Sequence, residues 1–200
     1  MDDDSSQDTK WEASGRIPSR EWLILSLMSF AVYLGISYLV FYFFHDTGPV
    51  KAYGHGLSVI NQLITGIGSG VIGSAIIWIA INQAAVSKVL DDFYIIKMVR
   101  QSRLTSFDCM QLSFFAGAGE ELLFRGAIQP LLGIWVTSVI FVGLHGYFKF
   151  KSPGHIIFGG IMFGLSAGLG YLFEYAGLIA AMSAHATYDV IMLKLISYEK

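Results

Sequence analysis

Apolar positions in this chain gather in long runs instead of alternating with polar ones. Six runs stand out, at about 21–44, 57–86, 107–129, 132–149, 154–174 and 177–197. A helix needs about 20 mostly apolar residues to cross the hydrocarbon of a bilayer. Membrane β-strands are shorter and alternate apolar with polar positions, which this pattern excludes. The chain is therefore expected to be all-α, a polytopic transmembrane helical bundle of about six membrane helices. About twenty mostly polar residues precede the first run, acidic at their start (Asp2, Asp3, Asp4, Asp8). No small-residue cleavage pattern adjoins that run, so Trp22–Phe44 reads as a true span and not as a signal peptide. Three regions follow: 1–20, a disordered acidic cytosolic tail; 21–105, the first membrane helices and a cytosolic loop; and 106–200, a core holding the last four helices.

Basic residues orient the spans, because Lys and Arg collect in cytosolic loops. With the N-terminus inside, Lys10, Arg16, Arg20, Lys88, Lys97, Arg100, Arg103, Lys149, Lys151, Lys194 and Lys200 all fall on the cytosolic side. Of the remaining two among the thirteen, Lys51 falls outside and Arg125 lies within a span. Such asymmetry predicts a multi-pass protein of the cell membrane with both termini cytosolic. Segment 87–105 mixes charged and apolar residues and reads equally as an interfacial amphipathic helix or a solvated loop. Gly160, Gly164 and Gly168, spaced by four, are expected to let helix backbones approach closely, as are Gly66, Gly68, Gly70 and Gly73.

Composition narrows the function classes. Of 200 residues, 54% are apolar and 14% charged, against about 25% charged in soluble domains. Lipid is the expected surrounding, and a net charge of −2 gives no reason to expect nucleic acid as a partner. The single cysteine, Cys109, excludes an intramolecular disulfide and a cysteine-based metal site.

Apart from those near the ends of the runs, ionisable residues nevertheless recur within three of them, charged ones costing about 2.5–3.5 kcal/mol each on insertion scales. They are Glu120, Glu121 and Arg125 in the third run, His145 in the fourth, and His185 and Asp189 in the sixth. Residues of this kind face the bundle interior and carry function by default. Glu121 and Arg125 stand four apart with the acid first, the favourable order for a helical pair, so a structural ion pair is expected there. Glu120 is rotated by about 100° from Glu121 and needs a different partner, for which His145 is the natural candidate. Phe141 and His145 share the four-residue spacing, which lays ring beside imidazole, and His185 and Asp189 share a face in the same way. Depth counting puts His145 and His185 in the cytosolic half of the membrane.

A carboxylate beside a histidine in a low-dielectric site can activate water as a general base, and a second histidine can stabilise an oxyanion. The same four side chains, Glu120, His145, His185 and Asp189, could instead hold a zinc ion. The sequence leaves both schemes open, a metal-free general base or a bound metal ion.

The ordered motifs EExxxR (Glu120, Glu121, Arg125), FxxxH (Phe141, His145) and HxxxD (His185, Asp189) resemble the CPBP family. These are the CAAX-processing and bacteriocin-processing intramembrane proteases, also called the type II CAAX prenyl endopeptidase or ABI family. The resemblance covers roughly 107–197 and includes AGAGEELLFRGAIQPLL. It implies a helical catalytic core whose conical cavity opens to the cytosol, with Glu120 and His145 activating water. It further implies that His185 and residue 189 bind the oxyanion and that Glu121 and Arg125 support the site. The substrate would be a membrane-associated protein or peptide. Asp189 departs from the Asn of the eukaryotic-type enzymes, and six spans are fewer than the eight of the characterised CAAX proteases.

Rival readings make different demands. A non-catalytic scaffold or bacteriocin immunity protein would tolerate loss of Glu120 and His145. A small proton-coupled transporter would carry inverted repeats, and none is visible. HExxH and GxGD are both missing from the sequence. His45, His55 and His155 sit in or near predicted loops and are expected to be ordinary solvated side chains.

Overall fold

A computed structural model describes residues 18–102 and 104–198. Most of the expected acidic tail lies outside these residues, as do Lys10, Arg16, Arg103 and Lys200. The described chain is helical: α1 (Ser19–Phe44), α2 (Val59–Ile81), α3 (Ala84–Ser87), α4 (Tyr94–Ser102), α5 (Ser106–Glu121), a π-helical stretch Leu122–Ile128, α6 (Gln129–Leu144), α7 (Pro153–Ala176) and α8 (Leu178–Tyr198). Five runs are long and apolar enough to cross a membrane: Ser19–Phe44, Val59–Ile81, Ser106–Leu144, Pro153–Ala176 and Leu178–Ser197. The molecule is a polytopic helical bundle.

Six runs were expected, and the difference lies in the third and fourth. They form one continuous stretch of 39 residues, which as a straight helix would be about 58 Å long, nearly twice the hydrocarbon thickness. The stretch is not straight. Gly133 leaves helical geometry with φ 77° and ψ 168°, a conformation that glycine adopts without a Cβ penalty. The chain reverses there. Glu120 and His145 would stand roughly 37 Å apart along a straight helix, yet their side chains approach to 3.4 Å. The returning limb, 134–144, covers about half a membrane, and His145 caps its end.

Contacts at the two ends of the bundle give a consistent topology. At one end, Leu57 N–H donates to the Ala176 carbonyl, and the Gln62 amide oxygen accepts from the N–H groups of Ile179 and Ala180. At the other, Lys149 donates to the Asp92 carbonyl and His155 meets the Asp92 carboxylate. Trp22, at the start of α1, packs with Val99 and Leu104 against Leu193 and Ile196 near the end of α8. The first and last described helices thus start and finish on the face that carries α3, α4 and the 145–152 loop. Segment 87–105, left open between helix and loop, contains short helical pieces. Ile96 and Val99 of α4 turn inward.

Close approach of backbones sets the position of α8. A methyl group on Gly66 would stand 2.4 Å from the Ala180 carbonyl oxygen, and one on Gly70 2.5 Å from that of Ala184. From the other side, a methyl on Gly117 of α5 would come within 2.9 Å of Ala186 N and Met182 O. Small residues on three helices therefore wedge α8 between α2 and α5, as in membrane packing generally. The expectation fails for Gly160, Gly164 and Gly168. Methyl groups there would meet nothing within 4 Å, because that face of α7 is exposed, Gly164 and Gly168 opening onto a cleft instead of a packed neighbour.

Candidate active site

The wedge brings α8 residues 185 and 189 level with the end of α5. Glu120 and Glu121 are the last residues of α5, and the π-helical turn follows at once. Such a turn carries i→i+5 hydrogen bonds and recurs at functional sites. It carries Arg125 back over Glu121: Arg125 Nε lies 3.2 Å from Glu121 Oε2, with both side chains fully buried. The expected pair is present, but Glu121 has a second partner. Its Oε1 accepts a 2.7 Å hydrogen bond from His185 Nδ1. Spacing along one helix could not reveal that contact, and a carboxylate with two oxygens can serve both neighbours.

Glu120 points elsewhere, as its rotation predicts. Its Oε2 is 3.4 Å from His145 Nε2. The opposite ring nitrogen of His145, Nδ1, is 2.8 Å from the Phe141 carbonyl oxygen. The rings of Phe141 and His145 stack at 4.3 Å between centroids. The Arg125 guanidinium also lies over the Phe141 ring, 4.7 Å from its centre, a cation–π arrangement. His185 Nε2 is 3.5 Å from Asp189 Oδ2. The structure thus brings together all four residues predicted for the centre and all three predicted to support it.

Glu120, His145, His185 and Asp189 line one cavity of about 630 Å³, together with Tyr33, Tyr147 and Tyr188. The tyrosines carry no motif, and the sequence reading missed them. Tyr147 follows Gly146, whose φ is 70°, and its ring lies parallel to that of His145, 5.9 Å away. Burial, and then the charges of Asp189 and Glu120, push the Tyr147 phenol up from its ordinary value, so it stays a proton donor. Ser166 of α7 was also missed. Arg125 Nη2 donates to its carbonyl oxygen at 2.8 Å and to its hydroxyl at 2.9 Å.

His185 lies seven residues after Leu178 and thirteen before Tyr198, nearer the Leu178 end of its helix. Of the loop histidines, His55 is exposed as expected, whereas His45 is half-buried and His155 buried, and each has a partner. His45 Nε2 is 2.8 Å from the Ala127 carbonyl oxygen, and His55 Nε2 is 2.8 Å from that of Glu174. His155, 3% exposed, is held between Ser152 and Asp92. All three pin loops to helices, and none joins the cavity.

The cluster does not fit a zinc ion. Among the described residues no three of His, Cys, Asp and Glu converge as a metal would require. The acids are turned towards the imidazoles instead, Glu120 to His145 and Glu121 to His185.

The family described as Type II CAAX prenyl endopeptidase Rce1-like matches residues 103–191. That match takes in less than half of the chain. Every member of the predicted cluster, and Ser166, falls inside the matched segment, whereas Tyr33 comes from α1, outside it. Uncharacterized protein YpbD of Bacillus subtilis (strain 168) is 33% identical over 89 residues, 44% of this chain and 45% of YpbD. The match thus spans less than half the length of that curated relative. No solved structure matches the chain.

Proposed function

We propose that this protein is an intramembrane endopeptidase of the CAAX-protease type, hydrolysing a peptide bond in a membrane-associated protein or peptide. The observation that carries the reading is the 3.4 Å approach of buried Glu120 to part-buried His145 within a cavity that also holds His185 and Asp189. A water touching both groups loses a proton to the Glu120 carboxylate while His145 fixes its position. The hydroxide attacks the scissile carbonyl. Glu120 then returns the proton to the departing amine.

His185 serves the oxyanion. Both its ring nitrogens face carboxylate oxygens, Glu121 at Nδ1 and Asp189 at Nε2. An imidazolium donates to both, and its Nε2–H is the bond that can turn to a developing negative charge. Asp189 then acts as counter-ion and guide for His185, without touching the oxyanion, which accounts for an acid where the eukaryotic-type enzymes carry Asn. Tyr147 adds a second donor at the cavity wall. No step requires zinc.

A second, largely apolar cleft of about 680 Å³ runs between α2 and α7, past Gly73, Ile76, Gly164 and Gly168. It shares Ile77, Leu165, Leu169, His185 and Tyr188 with the first cavity. This continuity supports a substrate with an apolar, membrane-seated part. The distribution of Lys and Arg supports a cytosolic location for both termini in the cell membrane. Proteomic comparison of membranes containing the native protein with membranes containing His145→Ala tests the reading. A peptide product formed only with the native chain is expected. Identical product profiles would instead favour the scaffold.

A further inference from the structure

Ser166 lies on α7, a helix that contributes no motif residue, yet it is held against the buried charge cluster. Three rungs lead from it to His185. Arg125 Nη2 donates to the Ser166 carbonyl at 2.8 Å and to its hydroxyl at 2.9 Å. Arg125 Nε then faces Glu121 Oε2 at 3.2 Å. Glu121 Oε1 accepts from His185 Nδ1 at 2.7 Å. None of the four residues is more than 7% exposed. In such surroundings hydrogen bonds reinforce one another and loss of one partner is costly.

The register of this contact is set twice. One helical turn beyond Arg125, Gln129 Nε2 donates to the Gly170 carbonyl at 3.0 Å. Arg125 with Ser166 and Gln129 with Gly170 are both 41 positions apart. A methyl on Gly170 would stand 2.8 Å from Gln129 Oε1, so glycine is what admits the second rung. The pair locks the π-helical turn against α7. Within that lock, only the Ser166 hydroxyl is a side-chain group that α7 offers to Arg125.

We propose that Ser166 is a positioning residue: its hydroxyl aims Arg125, which holds Glu121 and thereby fixes the Nδ1–H form and the ring orientation of His185. The inference rests on the peptidase reading for its purpose but not for its geometry. Without the hydroxyl, Arg125 keeps only the carbonyl rung and can swing about it. Glu121 then loses its fixed partner, and the His185 ring can turn away from the cavity.

The test uses the full chain in detergent with histidine imidazoles labelled with 15N, His185 being assigned by subtraction of His185→Gln. Ser166→Thr and Ser166→Val have the same shape and differ only in the hydroxyl. Thr is expected to keep the native His185 nitrogen and proton signals, whereas Val shifts them or broadens them by exchange. On a substrate identified by proteomics, Val is expected to lower kcat by about tenfold, the order for one lost supporting hydrogen bond, with KM unchanged and the pH profile displaced. Thr restores both. Indistinguishable His185 signals in Thr and Val overturn the proposal, including the case in which both are equally perturbed. A Val-specific shift in a protein that cleaves nothing upholds the positioning chain and rejects the peptidase reading instead.

Discussion

The Glu121 carboxylate bonds His185 on α8 at 2.7 Å through one oxygen and faces Arg125, one turn further along its own chain, through the other. Glu121 is therefore the hinge between a structural ion pair and the imidazole that faces the cavity. Its neighbour Glu120 is left for His145. Two adjacent acids take opposite assignments because one residue of helix turns a side chain by about 100°.

Removing Arg125 should be costly for that reason. Arg125→Met leaves Glu121 buried with only an imidazole for company, and loss of one partner of a buried pair costs roughly 3–5 kcal/mol. Thermal unfolding in detergent should show a large drop in Tm. A Tm close to that of the native protein would mean that Glu121 finds another partner.

Gln62 should matter for stability and not for chemistry. Its amide nitrogen donates to the His55 and Leu57 carbonyls, and its oxygen accepts from Ile179 and Ala180 at the start of α8. Gln62→Leu leaves these buried groups unpaired, at roughly 2–4 kcal/mol in total. The rate per folded molecule should stay native. A normal Tm with impaired turnover would contradict this assignment.

The two glycine sets should respond oppositely to alanine. At Gly70 a methyl would press within 2.5 Å of the Ala184 carbonyl oxygen, and such overpacking costs roughly 1–3 kcal/mol. At Gly164 it would meet nothing within 4 Å, so Gly164→Ala should be neutral or gain about 0.5–1 kcal/mol from lower chain entropy. Tm values of the two variants distinguish them, and equal losses would show that α7 is packed on that face as well.

Pairing of acids with imidazoles predicts that purified protein carries well under one equivalent of zinc by elemental analysis. A full equivalent that disappears with His145→Ala would overturn the metal-free mechanism.

Much of this was legible in the sequence because it is local. Long apolar runs report helices, and helical spacing alone pairs Glu121 with Arg125, Phe141 with His145 and His185 with Asp189. The Glu120–His145 approach followed by elimination. What was not legible depends on register between helices. The break expected between the runs ending at 129 and starting at 132 falls within a few residues of Gly133, but the residue at which the chain reverses is not marked. Ser166 is a lone serine in a glycine-rich helix and becomes informative only once Arg125 lies across from it. His45 and His155 looked solvated because their partners, a backbone carbonyl and the Ser152–Asp92 clasp, are unmarked in any pattern. The glycines of α7 have the same spacing as a packing face, and periodicity cannot say whether a neighbour is present.

The central claim is that Glu120 activates water. The most direct measurement is kcat of purified Glu120→Gln on a substrate identified from the membrane comparison, with folding checked by Tm. The amide keeps the size of the side chain and cannot take the proton, so kcat should fall by about 10²–10⁴-fold, the contribution of a positioned general base. Turnover by Glu120→Gln within about twofold of native would contradict the account, because a loss that small leaves no such contribution from Glu120.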